Sequence, residues 1–154
     1  MNGTLRFVAH GWPMRRKALS EMRHFKLYLV LFAAFLAIDW VWLTLVAKEF
    51  YKDQIGFLLT ANPNYLAAAI FYLMFVLAIQ VFVVRPGLQS GSLKTTLGRA
   101  AFFGFITYAT YDLTNLATVE GWPVLVTVVD LVWGAVLSST VSAAGFLIGR
   151  RQGW

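Results

Sequence analysis

The sequence of 154 residues contains no cysteine and only two histidines, His10 and His24. Without cysteine, disulfides, thiolate nucleophiles and cysteine-ligated metals are excluded. Both histidines precede the first long apolar run, which argues against haem or a histidine-built metal site inside such a run, and we expect no cofactor. The sequence also lacks a glycine-rich phosphate loop and a Gly-x-Ser-x-Gly motif, so serine hydrolysis is not indicated.

Charged residues are also scarce, at 13% of the chain, whereas 59% of the residues are hydrophobic and 16% are aromatic. Soluble domains carry about 25% charged residues, so this composition indicates an integral membrane protein. About 20 apolar residues cross a bilayer as a helix, and four segments qualify, at about 25–46, 65–84, 100–119 and 123–148. We therefore expect an all-α fold, in which a four-transmembrane-helix bundle (25–149) lies between a flexible basic tail (1–24) and a short tail (150–154).

Lysines and arginines are distributed unequally over the segments that flank these spans. Eleven of the 13 precede the first span, lie between the second and third spans, or follow the fourth. Only Lys48 and Lys52 lie in the other two loops. Because such residues accumulate on the cytoplasmic side, both termini are predicted to be cytoplasmic. The same distribution explains the net charge of +6 without a nucleic-acid partner.

Three aspartates, Asp39, Asp112 and Asp130, lie within the predicted spans, away from the basic residues at the span ends. A charged side chain at the bilayer centre costs roughly 2.5–3.5 kcal/mol on insertion scales, so an acid there indicates a functional site. At a rise of 1.5 Å per residue, the three fall within about one to two helical turns of the same depth. A shared polar site in the outer half of the membrane is therefore predicted.

Helical periodicity predicts which neighbours accompany these acids. The third span has a polar side around Asp112, which should face the bundle interior or water. The Asp130 side of the fourth span carries small residues, including Gly134, Ser138 and Gly145, which favour close packing of two helices. The predicted ligand-binding residues are Asp39, Tyr108, Tyr111, Asp112, Thr114, Asn115, Thr118, Asp130 and Trp133.

The pattern of aspartate, any residue, valine and tryptophan occurs twice, at 39–42 and 130–133. The two segments lie on spans that are predicted to run in opposite directions. This arrangement is compatible with an inverted repeat. Coincidence is the alternative, because the match covers four residues in a tryptophan-rich chain.

Several kinds of chemistry are compatible with three acids that have no basic partners. The carboxyls could be protonated, since burial and mutual repulsion both favour the neutral form. Asp39, Asp112 and Asp130 could instead bind a hard cation, which prefers oxygen ligands. They could also lie in a water-filled vestibule. The alternative without a ligand is that neutral acids join the helices by hydrogen bonds.

Several segments of the sequence resemble those of a known family. They are Tyr108-Ala-Thr-Tyr-Asp-Leu-Thr-Asn-Leu-Ala-Thr118 with Trp122-Pro123, Val129-Asp-Leu-Val-Trp-Gly134, Asp39-Trp-Val-Trp-Leu43 and Ala67-Ala-Ala-Ile-Phe-Tyr72. The chain from about Phe25 onward resembles domain-of-unknown-function family 2177, a group of small bacterial membrane proteins. The resemblance implies a four-helix protein of the bacterial inner membrane and transfers no activity or catalytic residue.

The leading functional hypothesis is a small protein that binds or transports a cation, a proton or a small polar solute. A membrane-embedded enzyme or accessory factor that acts on a lipid is the first alternative, with paired carboxylates as general acid and base. A structural subunit of a larger membrane complex is the second. The expected partners are the lipid bilayer and a cation or proton, and a homo-oligomer is left open.

Overall fold

The computed structural model describes residues 13–154, and every regular element in this part of the chain is helical. The helices are α1 (Pro13–Val41), α2 (Lys48–Ile55), α3 (Tyr65–Ile79), α4 (Arg85–Ser90), α5 (Leu93–Thr118) and α6 (Val124–Arg151). A π-helical segment, Trp42–Val46, continues α1, and a second one, Gln80–Val84, joins α3 to α4. A short 3-10 helix, Gly56–Leu58, follows α2. The predicted all-α class is confirmed for these residues.

Helix α1 begins well before the start that hydropathy predicted for the first span. Residues 13–24, which we expected in the tail, form its first turns. Pro13 occupies the first helical position, where its missing N–H costs nothing. Ala18, Leu19 and Met22 then favour the helical conformation. The remainder of the predicted tail, residues 1–12, lies outside the described residues.

Helix α2 lies in the loop between the first two predicted spans. Its first turn contains Glu49 and its last turn contains Lys52, so both charges are placed favourably in the helix dipole. The two side chains also form an exposed ion pair of 3.6 Å. This helix turns the chain back toward the bundle and brings Tyr51 against α6.

Three helical stretches are long and apolar enough to cross a membrane: Lys17–Val46, Tyr65–Ser90 and Val124–Arg151. Each overlaps one of the predicted spans, and together they indicate a multi-pass membrane protein. Helix α5 has 26 residues but is not among these stretches. Its threonines, tyrosines, Asp112 and Asn115 reduce the hydropathy of a segment that is otherwise long enough.

The closest approach of two helices occurs between α5 and α6. A Cβ atom added to Gly104 would collide with the backbone carbonyl of Gly134, and one added to Gly134 would collide with the Tyr108 ring. The two backbones are therefore in direct contact, as the small-residue side of the fourth span predicts. Gly104 contacts Gly134 and Ser138, whereas Tyr108, one turn later on α5, contacts Gly134. Residue numbers therefore rise along α5 as they fall along α6, and the two helices run antiparallel.

Helix α1 also packs along α6, on the side that carries Gly145. Leu31 of α1 fills the space beside Gly145 of α6, and Phe35 packs edge-on against Tyr72 of α3 at a ring distance of 5.6 Å. The apolar core shared by these helices includes Leu27, Leu31, Phe35, Val76, Ile79, Leu137 and Val141. Several polar side chains lie between α1, α3, α5 and α6 at one end of the bundle. Residues 23 and 153 lie at the other end.

Candidate functional site

Asp112 of α5 and Asp130 of α6 lie next to each other. They are on the side of the contact between Gly104 and Gly134 that is nearer the turn at 119–123. We call these two residues the acid pair. Asp112 is fully buried, and neither of its carboxyl oxygens accepts a hydrogen bond from an N–H or O–H group of the described residues. The Asp130 carboxyl lies within hydrogen-bonding range of Asp112, and two carboxyls join directly only when they share a proton. Asp130 is half-buried and has a protein partner. The pair therefore joins a carboxyl that is held by Tyr51 to one whose polar neighbour is another acid.

The partner of Asp130 is Tyr51 of α2, whose hydroxyl donates to Oδ1 of Asp130 at 2.5 Å. Trp42 donates from its indole N–H to the Tyr51 hydroxyl at 3.1 Å. Burial raises the pKa of the Tyr51 phenol, and the adjacent Asp130 raises it further. The phenol consequently keeps its proton and acts as the donor. Three side chains from three helical segments thus form one hydrogen-bonded chain that ends at the acid pair.

Trp42 also stacks on Trp133 of α6, with ring centroids 4.1 Å apart and ring planes 9° apart. We call these residues the tryptophan pair. They are the last residues of the two repeated four-residue segments, so the two copies of the pattern contact each other through their tryptophans. Since α1 and α6 are antiparallel, Asp39 and Asp130 lie on opposite sides of the tryptophan pair along the bundle.

Asp39 forms a second polar centre. It is 6% exposed, and its Oδ2 accepts a hydrogen bond of 2.9 Å from the Tyr72 hydroxyl of α3. The indole N–H of Trp133 lies beside Asp39 but makes no hydrogen bond of ordinary geometry. Asp39 is therefore attached to α3, whereas the acid pair is attached to α2.

Tyr108 of α5 lies between the two centres. Its ring covers Gly134 and meets Phe75 edge-on at 6.2 Å. Its hydroxyl is within electrostatic range of both Asp39 and Asp130. Tyr108 is thus the predicted site residue that links the two polar centres.

The sequence predicted that all three aspartates share one site, and the structure brings only two of them together. Within residues 17–154, no three acidic, histidine or cysteine side chains are close enough to hold a metal ion together. Asp112 and Asp130 are adjacent, and Asp39 lies apart because it precedes Trp42 on a helix that runs opposite to α6. A cation site built from all three carboxylates is therefore not preformed, and the acid pair is the part that could coordinate a cation.

The other predicted residues divide into two groups. Asn115 is half-buried one turn from Asp112, and its side-chain Nδ2 has no partner. Tyr111 is 63% exposed and packs edge-on against Trp122 at 5.8 Å. Thr114 and Thr118 are also exposed, and each hydroxyl donates to the carbonyl four residues earlier. Asn115 therefore lies on the same side of α5 as Asp112, whereas the side chains of Tyr111, Thr114 and Thr118 are exposed.

Three residues of the site were not among the predicted ones: Trp42, Tyr51 and Tyr72. Tyr72 had a usable signal, since it is one of two polar side chains in an otherwise apolar span. Trp42 had one in the repeated pattern. Tyr51 had no such signal in the sequence, because it lies within a charged segment and resembles an ordinary aromatic residue of the membrane interface.

Comparison with known proteins agrees with the resemblance noted in the sequence. The model of a family described as "Predicted membrane protein (DUF2177)" matches residues 24–147. No curated protein and no solved structure matches the chain. The matched range includes both polar centres and all three candidate spans except the ends of the first and last. The chain therefore belongs to the DUF2177 family of predicted membrane proteins.

Proposed function

We propose that this protein binds a cation, either a proton or a small metal ion, at the acid pair and moves it, or a small polar solute coupled to it, across the membrane. The observation that carries the proposal is the fully buried Asp112 carboxyl, which accepts no hydrogen bond from an N–H or O–H donor of the described residues and lies beside a second acid, Asp130. A buried polar group without a hydrogen bond is costly, and an ionised carboxylate far more so. Occupation of the site by a cation offsets that cost.

The surroundings of the acid pair support a cation rather than an internal ion pair. In the described chain, no lysine, arginine or histidine forms an ion pair with Asp39, Asp112 or Asp130. Two neighbouring carboxyls in a medium of low dielectric constant cannot both stay ionised without a compensating charge. A shared proton or a bound metal ion supplies that charge.

The available donor atoms are those of a hard-cation or proton site. Asp112 offers two carboxyl oxygens that no N–H or O–H donor of the described residues occupies, and Asp130 keeps one oxygen that Tyr51 does not occupy. Oxygen ligands suit sodium, magnesium or calcium, and a carboxyl pair also suits a single shared proton. Tyr51 holds Asp130 in position and leaves Asp112 as the group that changes its occupant.

We propose that α5 is a fourth span, which would place both termini on the same side. Its 26 residues extend about 39 Å at 1.5 Å per residue. It lies antiparallel against α6, a candidate span, from the Gly104 contact to the acid pair. Its polar side chains are then accommodated because neighbouring helices cover that side. The basic residues favour the cytoplasm for both termini, and the bacterial inner membrane remains the proposed location.

A reporter fused after Trp154 tests this topology. An alkaline phosphatase domain, which folds only outside the cytoplasm, should be inactive there, whereas a fluorescent protein that requires the cytoplasm should be bright. The matched control places the same reporters in the loop at 119–123, where the pattern should be reversed. An active phosphatase at Trp154 would show an odd number of spans or the opposite orientation.

The binding function is tested by the melting temperature of the purified protein in detergent, across cations and across about pH 5 to 8. A ligand that binds only the folded state at a hundredfold excess over its Kd stabilises by about 2.7 kcal/mol, which is about 5 °C or more for a chain of this size. We expect such a rise in wild type with one cation or with protons. Asp112→Asn should remove the dependence, since asparagine keeps the shape but cannot carry the charge.

Two controls make the result specific. Asp53→Asn changes an exposed acid on α2 and should leave the wild-type profile intact. A bulky organic cation at the same ionic strength should not reproduce the rise. Identical cation and pH profiles for wild type and Asp112→Asn would leave the acid pair with a purely structural role. Cation-dependent flux into liposomes, lost in the same variant, then separates transport from binding alone.

A further inference from the structure

A separate cavity of about 450 Å³ lies at the opposite, basic end of the bundle, between the start of α1 and α4. We call it the basic pocket. Its polar lining includes Arg23, His24 and Arg85, and its apolar lining includes Leu27, Leu88 and Trp154. None of these residues takes part in the acid pair or in the Asp39 centre, so the pocket requires its own explanation.

The fold holds the two sides of the pocket at a fixed separation. Gln80 is 4% exposed and donates from Nε2 to the backbone carbonyl of His24 at 2.8 Å. This bond joins α1 to the π-helical segment that leads directly into Arg85. On the other side, Nη1 of Arg23 donates to the carbonyl of Gly153 at 3.4 Å, which keeps the C-terminal turn against the pocket. These two hydrogen bonds therefore hold the walls of the pocket in place relative to each other.

The charged side chains that line the pocket are all positive. Arg23 and Arg85 come from different helices and line the same cavity, and no acidic side chain from residues 17–154 forms an ion pair with either. Two neighbouring guanidinium groups repel each other, and an anion between them replaces that repulsion with attraction. Phosphate fits best, because a guanidinium group can donate two parallel hydrogen bonds to its oxygens.

The apolar side of the pocket indicates where the phosphate comes from. Leu27 closes the interior, while Leu19, which also lines the cavity, is 44% exposed on the outer surface of α1. Arg23 and Arg85 each adjoin the end of a long apolar run, which is the depth of lipid headgroups. Basic pockets between helices on the cytoplasmic side bind such groups. We propose that the basic pocket binds the phosphate of an anionic phospholipid, with an acyl chain against the leucines.

Native mass spectrometry of the full-length protein tests this proposal, with phosphatidylglycerol, phosphatidylcholine and inorganic phosphate compared at equal concentration. Wild type should retain one tightly bound phosphatidylglycerol and should bind phosphatidylcholine and inorganic phosphate weakly. Arg23→Gln and Arg85→Gln should each weaken phosphatidylglycerol binding about tenfold, since a hydrogen bond to a charged group contributes roughly one such factor. Arg99→Gln, a change at an exposed arginine of α5 outside the pocket, should bind like wild type.

Arg85→Lys is the conservative variant, because it keeps the positive charge and loses the paired donors. It should fold normally and show intermediate affinity, so the proposal stays testable even where a glutamine variant is unstable. Equal phosphatidylglycerol binding by wild type, Arg85→Lys and the glutamine variants would overturn the proposal. Equal binding of inorganic phosphate and phosphatidylglycerol by wild type would overturn the lipid assignment, because the ligand would then be a free anion.

Discussion

Gly104→Ala is expected to destabilise the protein more than any other single methyl group added to it. The new Cβ would collide with the backbone carbonyl of Gly134, and a carbonyl inside a helix cannot rotate away as a flexible side chain can. The helices must separate instead. Overpacking of this kind costs about 1–3 kcal/mol and occasionally more, and it outweighs the gain of about 0.5–1 kcal/mol that alanine brings to a helix interior.

Gly98→Ala is the matched control on the same helix. A Cβ at Gly98 meets nothing within 4 Å. This variant should keep or slightly raise the wild-type melting temperature, because only the helix propensity changes. Both variants are compared by circular dichroism during heating and by the size-exclusion profile in detergent. Similar melting temperatures for the two variants would contradict the direct contact between α5 and α6.

Trp42→Ala is the second change with a large expected effect. It removes the stack on Trp133 and leaves the Tyr51 hydroxyl without its indole donor. An aromatic pair contributes about 0.5–1.5 kcal/mol beyond burial, a hydrogen bond contributes about 0.5–1.5 kcal/mol, and the lost packing of the half-buried Trp42 ring adds to both. We expect the free energy of unfolding to fall by about 2–4 kcal/mol, together with a changed response of the melting temperature to cations.

Trp40→Ala provides the comparison, since it lies two residues earlier on the same helix and is 62% exposed on the lipid-facing side. It should change the stability by no more than about 0.5 kcal/mol, as surface substitutions usually do. Trp42→Phe keeps an aromatic ring and loses the N–H, so it separates the stack from the hydrogen bond. Equal losses for Trp40→Ala and Trp42→Ala would show that the tryptophan pair does not stabilise the bundle.

Three of the four predicted spans overlap helical stretches that are long and apolar enough to cross a membrane, because hydropathy and loop residues report such stretches directly. Helix α1 extends further toward the N-terminus than hydropathy predicted. Asp112 and Asp130 were predictable as neighbours, since each lies on the polar or small-residue side of its helix at a similar distance from the turn at 119–123. Asp39 was harder to place. Its depth is similar, yet a few residues of offset between antiparallel helices put it on the far side of the tryptophan pair.

Thr114 and Thr118 show why helical periodicity alone overestimated the site. A threonine hydroxyl can donate to the carbonyl one turn earlier, so its hydrogen bond is made even when the side chain is exposed and does not face the interior. Tyr51 shows the opposite limit. Its contribution depends on how α2 turns back onto the bundle, and no pattern within eight residues of mixed charge reports that path.

If the protein transports the proposed cation, the contact of Gly104 with Gly134 limits which of its parts can move. Both residues of the acid pair belong to α5 and α6, whose backbones touch about two turns from Asp112 and about one turn from Asp130, so we expect these two helices to move as one unit. Tyr51 belongs to α2, which is connected to α1 through a π-helical turn and to α3 through a nonhelical loop. A gate at this site would therefore consist of α2 swinging away from a rigid pair of helices.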